Sequence, residues 1–232
     1  MKHFICRVYK LARMAGFRGI LKTIYWNIRL LPFKQAIRFP IILGGSCSLS
    51  SCRRGCIQFN SDHIKPGILI IGTEWYGLKP RGGVALRIEG KLVVNGCGLH
   101  WFGSNGYLTI AKTGCLEIGD DFTIGSGWCI YASSHSSIGS DCMFSWNILL
   151  LDTDCHPITD SVGNLLNPPQ AIVIGDHVWL GAYSKILKGS YIPSGSIVAS
   201  GSIVNSHLTQ ENSIYIGNHS VKNDIHWSKQ SM

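Results

Sequence analysis

From residue 174 to 204 an aliphatic side chain returns at every sixth position, at Ile174, Leu180, Ile186, Ile192, Val198 and Val204, often with a glycine or another small residue close behind. An amphipathic helix would repeat its apolar positions every 3.6 residues and a lone strand every second residue, so a period of six fits neither element alone. It predicts a β-solenoid in which each block is one short strand and one turn, and three blocks close a triangular coil. The opening aliphatics point into a narrow core and stack coil on coil, while the small residues let the backbone turn the corner.

The same period appears upstream at Ile118, Ile124 and Ile130, and more loosely at Ile88 with Val94 and at Ile138 with Phe144 and Leu150. It is interrupted twice. The register slips by two residues between Ile130 and Ile138, and residues 151–173 break it outright with a run that holds Asp152, Asp154, His156, Pro157, Asn164, Asn167, Pro168 and Pro169. Insertions of this kind map to loops projecting from one face of a solenoid, often the binding face. Before the coils, Phe17, Ile20, Leu21, Ile24, Tyr25 and Ile28 recur at helical spacing with Arg18, Lys22 and Arg29 between them, which predicts a helix. Leu31-Pro32 ends it, because the residue before a proline is pushed out of the α region. The chain thus divides into a basic helical arm over 1–45, a β-helix domain over 46–216 carrying the loop 151–173, and a C-terminal tail over 217–232.

Composition narrows this further. No stretch approaches the roughly 18 apolar residues of a membrane-spanning helix, and the apolar residues at the N-terminus are interspersed with Lys2, Arg7, Lys10, Arg13, Arg18 and Lys22 rather than gathered into a secretory core. The expected location is cytoplasmic. The nine cysteines form no CxxC pair and are odd in number, which argues for reduced thiols filling core and surface positions. Cys47, Cys52 and Cys56 match no structural zinc spacing. Of the net charge of +8, the whole surplus lies in the arm: eleven Lys or Arg precede Asp62, the first acidic residue, whereas the remainder carries ten basic and thirteen acidic residues. The arm reads in two compatible ways, as a cap over the open end of the solenoid and as a basic amphipathic helix on an anionic membrane surface. A nucleic-acid partner is disfavoured, since the basic run carries no recognition motif and the coil body is not basic.

The densest polar cluster is Asp152-Thr-Asp-Cys-His156-Pro, inside the interrupting loop. An imidazole is suited to general-base work near neutral pH, and a carboxylate can hold one ring nitrogen while the other accepts a proton. Asp154 and Asp152 are both candidates for that carboxylate. His135, near the register slip, and His177, inside a hexad, are placed to face a groove; His3, His63, His100, His207, His219 and His226 are expected on the surface. Trp101, Phe102, Trp128 and Trp146 are available to stack on a sugar face or to pack against the coils. Neither HExxH, GxxxxGK[ST] nor GxSxG occurs.

With these features in view, the chain resembles the hexapeptide-repeat acyltransferases, and within them the sugar O-acetyltransferases of bacterial polysaccharide biosynthesis. The resemblance rests on Ser145-Trp-Asn147, Asp152-Thr-Asp-Cys-His-Pro157, Ile174-Gly-Asp-His-Val-Trp-Leu-Gly181, Ile186-Leu-Lys-Gly189 and Gly195-Ser-Ile-Val-Ala-Ser-Gly-Ser-Ile-Val204. It implies a left-handed parallel β-helix, a homotrimer, and acetyl-CoA bound between neighbouring subunits without a metal. His156 falls on the family's catalytic histidine and Asn147 on a position of the acceptor pocket, beside Trp146. Trp179, Gly181, Ala182 and Ser200 fall along the pantetheine channel. Asn205 and Ser206 stand where the family often has Thr-Lys, and Lys222 is a candidate substitute for the displaced lysine. Rival readings keep the fold with a serine or amino-sugar acceptor, or replace the chemistry with a γ-carbonic anhydrase-like zinc site using His135, His156 and a third histidine. A non-catalytic scaffold is disfavoured, because it leaves the Asp-rich histidine loop unexplained.

Overall fold

The hexads become strands of three parallel sheets, described in a computed structural model for residues 2–61, 63–73 and 82–229. Among these residues the first sheet has nine strands, the second seven and the third six, and successive strands visit the three sheets in turn as far as Val204, after which the last two both join the first sheet. The aliphatic positions form in-register columns. Ile118, Ile138, Ile174 and Ile192 line the third sheet; Phe102, Ile124, Phe144, Leu180 and Val198 the first; Leu108, Ile130, Leu150, Ile186 and Val204 the second. All are buried, and each contributes about 1.5–3 kcal/mol on leaving water. The fold is therefore the all-β solenoid expected, a parallel β-helix preceded by a helical arm.

The two-residue slip is a widening of the coil. Ala132 and Ser136 form an extra inward-facing pair, stacked on Ile110 and Leu116 of the coil below. The corner between the third and first sheets turns through Asp121, Asp141 and His177, whose φ values of 55°, 58° and 53° lie in the left-handed region that Asp, Asn and His tolerate better than most residues. Several aromatic and histidine positions are buried, Phe102 inside the coil and Trp101 on its outer face beneath Leu11 and Ala15 of the arm. Trp101, Phe102 and Trp128 are buried, leaving only Trp146 of that group exposed, and Trp128 donates from Nε1 to the Gly103 carbonyl at 2.8 Å. His100, expected on the surface, is fully buried, with Nε2 2.7 Å from the Gly119 carbonyl oxygen.

The arm caps the solenoid, but not with the face its sequence advertises. Helix α1 (Lys2–Leu30) breaks helical geometry at Gly16 and ends before Leu31-Pro32, followed by the short α2 (Phe33–Ala36). Its buried face carries Leu11, Ala15, Thr23, Asn27 and Leu30. Thr23 Oγ1 accepts from Leu43 N at 3.0 Å, and Asn27 both accepts from Ile41 N at 3.2 Å and donates to Ile41 O at 2.7 Å. These side chains satisfy the outer edge of the first strand, Ile41–Leu43, whose backbone groups would otherwise lie open to pairing with another chain. Sheet pairing thus begins five residues before the expected boundary at 46. At the far end the tail returns: His219–Lys222 pairs antiparallel with Ile214–Ile216, and Trp227 stacks on His177 at 4.1 Å between ring centroids.

Candidate functional site

The loop 151–173 leaves the coil at the widened corner between the second and third sheets, and Asp152 fixes its base. Leu150 and Asp152 both face inward by strand alternation, so the aspartate lies at the end of an apolar row. It is fully buried. One carboxylate oxygen accepts from Ser133 N at 2.7 Å, and the other from Ser134 N at 2.8 Å and Ser136 Oγ at 3.0 Å. The Asp152 carbonyl then accepts from Gln170 N at 2.9 Å, closing the loop where it returns. Both oxygens of Asp152 are engaged with the preceding coil, so its role is to anchor the loop rather than to hold the His156 ring.

Beyond that anchor, His156 is held through its backbone. Its N–H donates to the Asp154 carbonyl at 2.7 Å, a three-residue γ-turn with Cys155 at φ 64°. Strained turns of this kind persist only where the surroundings enforce them, and they cluster at functional sites. Here the brace is Asn167, whose amide donates to Asp154 Oδ2 at 2.8 Å and to the His156 carbonyl at 2.9 Å, while its Oδ1 accepts from Ile158 N at 2.6 Å. Lys188, one coil further on, donates to the same Asp154 carboxylate. The imidazole itself is exposed and has no hydrogen-bond partner among the described residues. Asp154 therefore secures the turn that presents His156 and does not touch its ring. In the sequence Asn167 stood out only as one polar residue of the loop and Lys188 only within Ile186-Leu-Lys-Gly189, in the third hexad beyond it, so neither was legible as a site residue.

The Lys188 ammonium, and then the Asn167 amide, hold the Asp154 carboxyl below its ordinary range. A depressed carboxyl adds its support above the usual Asp value of about 3.9 and loses it as the pH falls through the lowered one, so the brace is fully formed at neutral pH. Lys188→Met is expected to quicken proteolysis within 151–173 at neutral pH. Cleavage at the wild-type rate would show that the brace does not order the loop.

The remaining site residues gather at a different corner, between the first and second sheets. Trp146 and Asn147 turn it in one coil, Gly181 and Ala182 in the next, and Ser200 in the one after. The Trp146 carbonyl accepts from Tyr183 N at 3.0 Å and the Ala182 carbonyl from Gly201 N at 2.8 Å. Asn147 takes the left-handed conformation, φ 57°, and its Oδ1 lies where a Cβ on Gly127 would approach to 2.0 Å. A Cβ on Gly181 would meet Ser200 N at 2.5 Å, so glycine there allows close coil stacking. Trp179 lies beside this corner on the first sheet, donating to Ser145 Oγ at 3.1 Å with its ring 5.9 Å from that of Trp227. Asn205 and Ser206 instead turn the same corner as the His156 loop, two coils beyond its base. Asn218 clasps Asn205, its Oδ1 accepting from Asn205 N at 3.1 Å and its amide donating to Asn205 Oδ1 at 2.5 Å, whereas Lys222 is exposed on the returning strand.

Elsewhere, Asp141 sits between His177 Nδ1 at 2.6 Å and Lys229 Nζ at 2.7 Å. Partial burial works against its ionised form, but these two partners outweigh it and hold the carboxyl below its usual range. His177 is thereby engaged with the tail rather than open to a groove. On the outer face of the third sheet, donor atoms of Cys115, Glu117 and His135 lie within 4.8 Å of one another, a set whose chemistry suits zinc. His156 is not part of that cluster.

No family model matches the chain. It is 40% identical over 76 residues to the polysialic acid O-acetyltransferase of Neisseria meningitidis, a match covering 32% of this chain and 35% of that one. It is 33% identical over 86 residues to the polysialic acid O-acetyltransferase of Escherichia coli O1:K1 / APEC, covering 36% and 28%. The chain thus spans only about a third of the length of these curated relatives. The crystal structure of the polySia-specific acetyltransferase NeuO superposes with a TM-score of 0.52 at 23% identity, covering 82% of this chain and 90% of that one, a likeness of fold.

Proposed function

We propose that this hexapeptide-repeat protein, similar over about a third of its length to polysialic acid O-acetyltransferases, is an acetyl-CoA-dependent O-acetyltransferase that esterifies a sugar hydroxyl of a surface polysaccharide. The observation that carries the reading is His156: an exposed imidazole whose position is set by its backbone, leaving both ring nitrogens for substrate. In the proposed reaction His156 takes the proton of a sugar hydroxyl as that oxygen attacks the thioester carbonyl. Backbone N–H groups at a tight Ser or Gly turn stabilise the charge on the carbonyl oxygen. Collapse expels the CoA thiolate, which recovers the proton from His156, so neither a covalent intermediate nor a metal is called for.

In one chain the His156 loop and the Trp146, Asn147, Gly181, Ala182 and Ser200 corner stand at opposite ends of the second sheet. The strand Leu149–Leu151 between them spans ~10 Å at about 3.3 Å per residue, beyond the reach of one side chain contact. The site is complete when the loop of one subunit meets that corner of its neighbour, in a cytoplasmic homotrimer. Ile158, Val162, Leu165 and Leu166 are exposed along the loop, and an adjoining subunit would cover this apolar surface.

The test is chemical. With a sialic acid polymer and other surface glycans as acceptors, the acetyl group transferred is expected to be labile to alkali and hydroxylamine, as an ester is; a stable amide product would favour the amino-sugar acceptor. Mixing His156→Ala subunits with Ser200→Trp subunits, each inactive alone, is expected to restore ester formation. Failure of all mixed trimers to react would place the whole site within one subunit.

A further inference from the structure

The face of α1 turned away from the coils is apolar and uncovered. Phe17, Leu21, Ile24, Tyr25 and Ile28 are exposed, Phe17 by 77% and Tyr25 by 56%. At 100° per residue they fall within an arc of about 100°, bordered on one side by Arg18 and Arg29. Phe33 and Ile37 continue the exposed apolar surface past the helix end, with Lys34 and Arg38 exposed among them. The arm therefore has two faces: Thr23, Asn27 and Leu30 close the solenoid, and the opposite side is left exposed among the described residues.

Beside this surface lies an open cleft of about 520 Å³ lined by Tyr25, Ile28, Arg29, Cys52, Arg53 and Arg54. Arg54 is oriented by a 2.9 Å hydrogen bond to the Ile28 carbonyl, and no acidic residue stands in the first 61 positions to neutralise the three guanidiniums. Planar guanidinium groups match phosphate oxygens in a two-pronged geometry.

We propose that this face is a docking surface for an anionic lipid bilayer, with the Phe17, Leu21, Ile24, Tyr25 and Ile28 stripe entering the interface and Arg29, Arg53 and Arg54 receiving a lipid headgroup phosphate. The occupant follows from charge complementarity: a stripe of aromatic and aliphatic side chains edged by arginines, without a carboxylate, suits a layer whose interior is apolar and whose surface is negative. Arginine and lysine stems lie along the apolar boundary while their charged ends reach the headgroups. The surface lies at the capped end of the solenoid, at the opposite end of the coil stack from the returning tail, so docking leaves the later coils and their loop open to an acceptor.

Co-flotation with vesicles tests this without reference to catalysis. The full chain is expected to float with vesicles of phosphatidylcholine mixed with phosphatidylglycerol, to remain behind with phosphatidylcholine alone, and to detach as salt is raised. Arg29→Gln with Arg53→Gln is expected to weaken the partition about thirtyfold, the ratio for two basic groups near an anionic surface. Leu21→Ser with Ile28→Ser is expected to abolish flotation with circular dichroism unchanged. Absence of flotation, equal flotation with neutral vesicles, or retention by the Leu21 and Ile28 variant would each overturn the proposal. So would a wild-type oligomer that this variant splits while vesicle binding persists, which would assign the face to a second copy of the chain.

Discussion

Replacement of His156 with alanine is expected to lower turnover by ~10²–10⁴-fold, the usual contribution of a positioned general base, with little change in thermal stability. The two parts of this expectation come from separate features. The loss of rate follows because an alcohol is a weak nucleophile until its proton is removed, and the exposed imidazole is the group the loop presents. The preserved stability follows because the loop holds this residue through its N–H and carbonyl, contacts that alanine retains. Acceptor binding should be affected far less than turnover, since the lost interaction is made in the transition state. A variant that unfolds at lower temperature in proportion to its loss of activity would point instead to a structural histidine.

Asp152→Ala should behave in the opposite sense. It strips the partners from two half-buried backbone N–H groups and one buried hydroxyl, and unsatisfied donors cost about 1–3 kcal/mol each where water cannot reach them. A loss of ~3 kcal/mol or more is expected, roughly 6–12 °C in melting temperature for a domain of this size. Asp152→Asn restores the shape but turns an amide N–H toward a donor, and should recover only part of that loss. Activity of the folded fraction should fall less than in His156→Ala, because the aspartate reaches the imidazole only through the path of the loop. If Asp152→Asn instead lost activity as fully as His156→Ala while melting like wild type, the carboxylate would be acting on the ring and the anchoring role would be wrong.

The coils were legible because a stacked parallel solenoid repeats its environment: each opening aliphatic meets the one before it, so Ile174, Leu180 and Ile186 report three sheets directly. The helix was legible as a helix but not in its orientation. Hydrophobic periodicity picks the most apolar face, whereas capping a strand edge calls for donors and acceptors, which Thr23 and Asn27 supply. In the loop, proximity in sequence misled. Asp152 and His156 are four residues apart, yet the aspartate still obeys the inward alternation that includes Leu150, and the serine-rich slip at Ser133, Ser134 and Ser136 was the visible sign of its partners. The union of Asp154 with Lys188, and of Trp227 with His177, joins residues 34 and 50 positions apart, for which no local pattern exists.

The two ends of the molecule then take different tasks. The arm closes the solenoid and offers a basic, apolar surface, while the later coils carry the loop and the corner on which the proposed chemistry depends. A bilayer-docked enzyme would concentrate an acceptor polymer made at the same surface, a benefit that arises from position and leaves the reaction itself unchanged.

The most direct test of the account is thiol release from acetyl-CoA by the purified chain and its His156→Ala variant, with and without oligomeric sialic acid or another surface glycan. Release by the wild-type protein is expected only when a hydroxyl-bearing acceptor is present, matched by ester in the product, and reduced at least about a hundredfold in the variant. Equal release by the two proteins, or none by the wild type with any glycan, would contradict it.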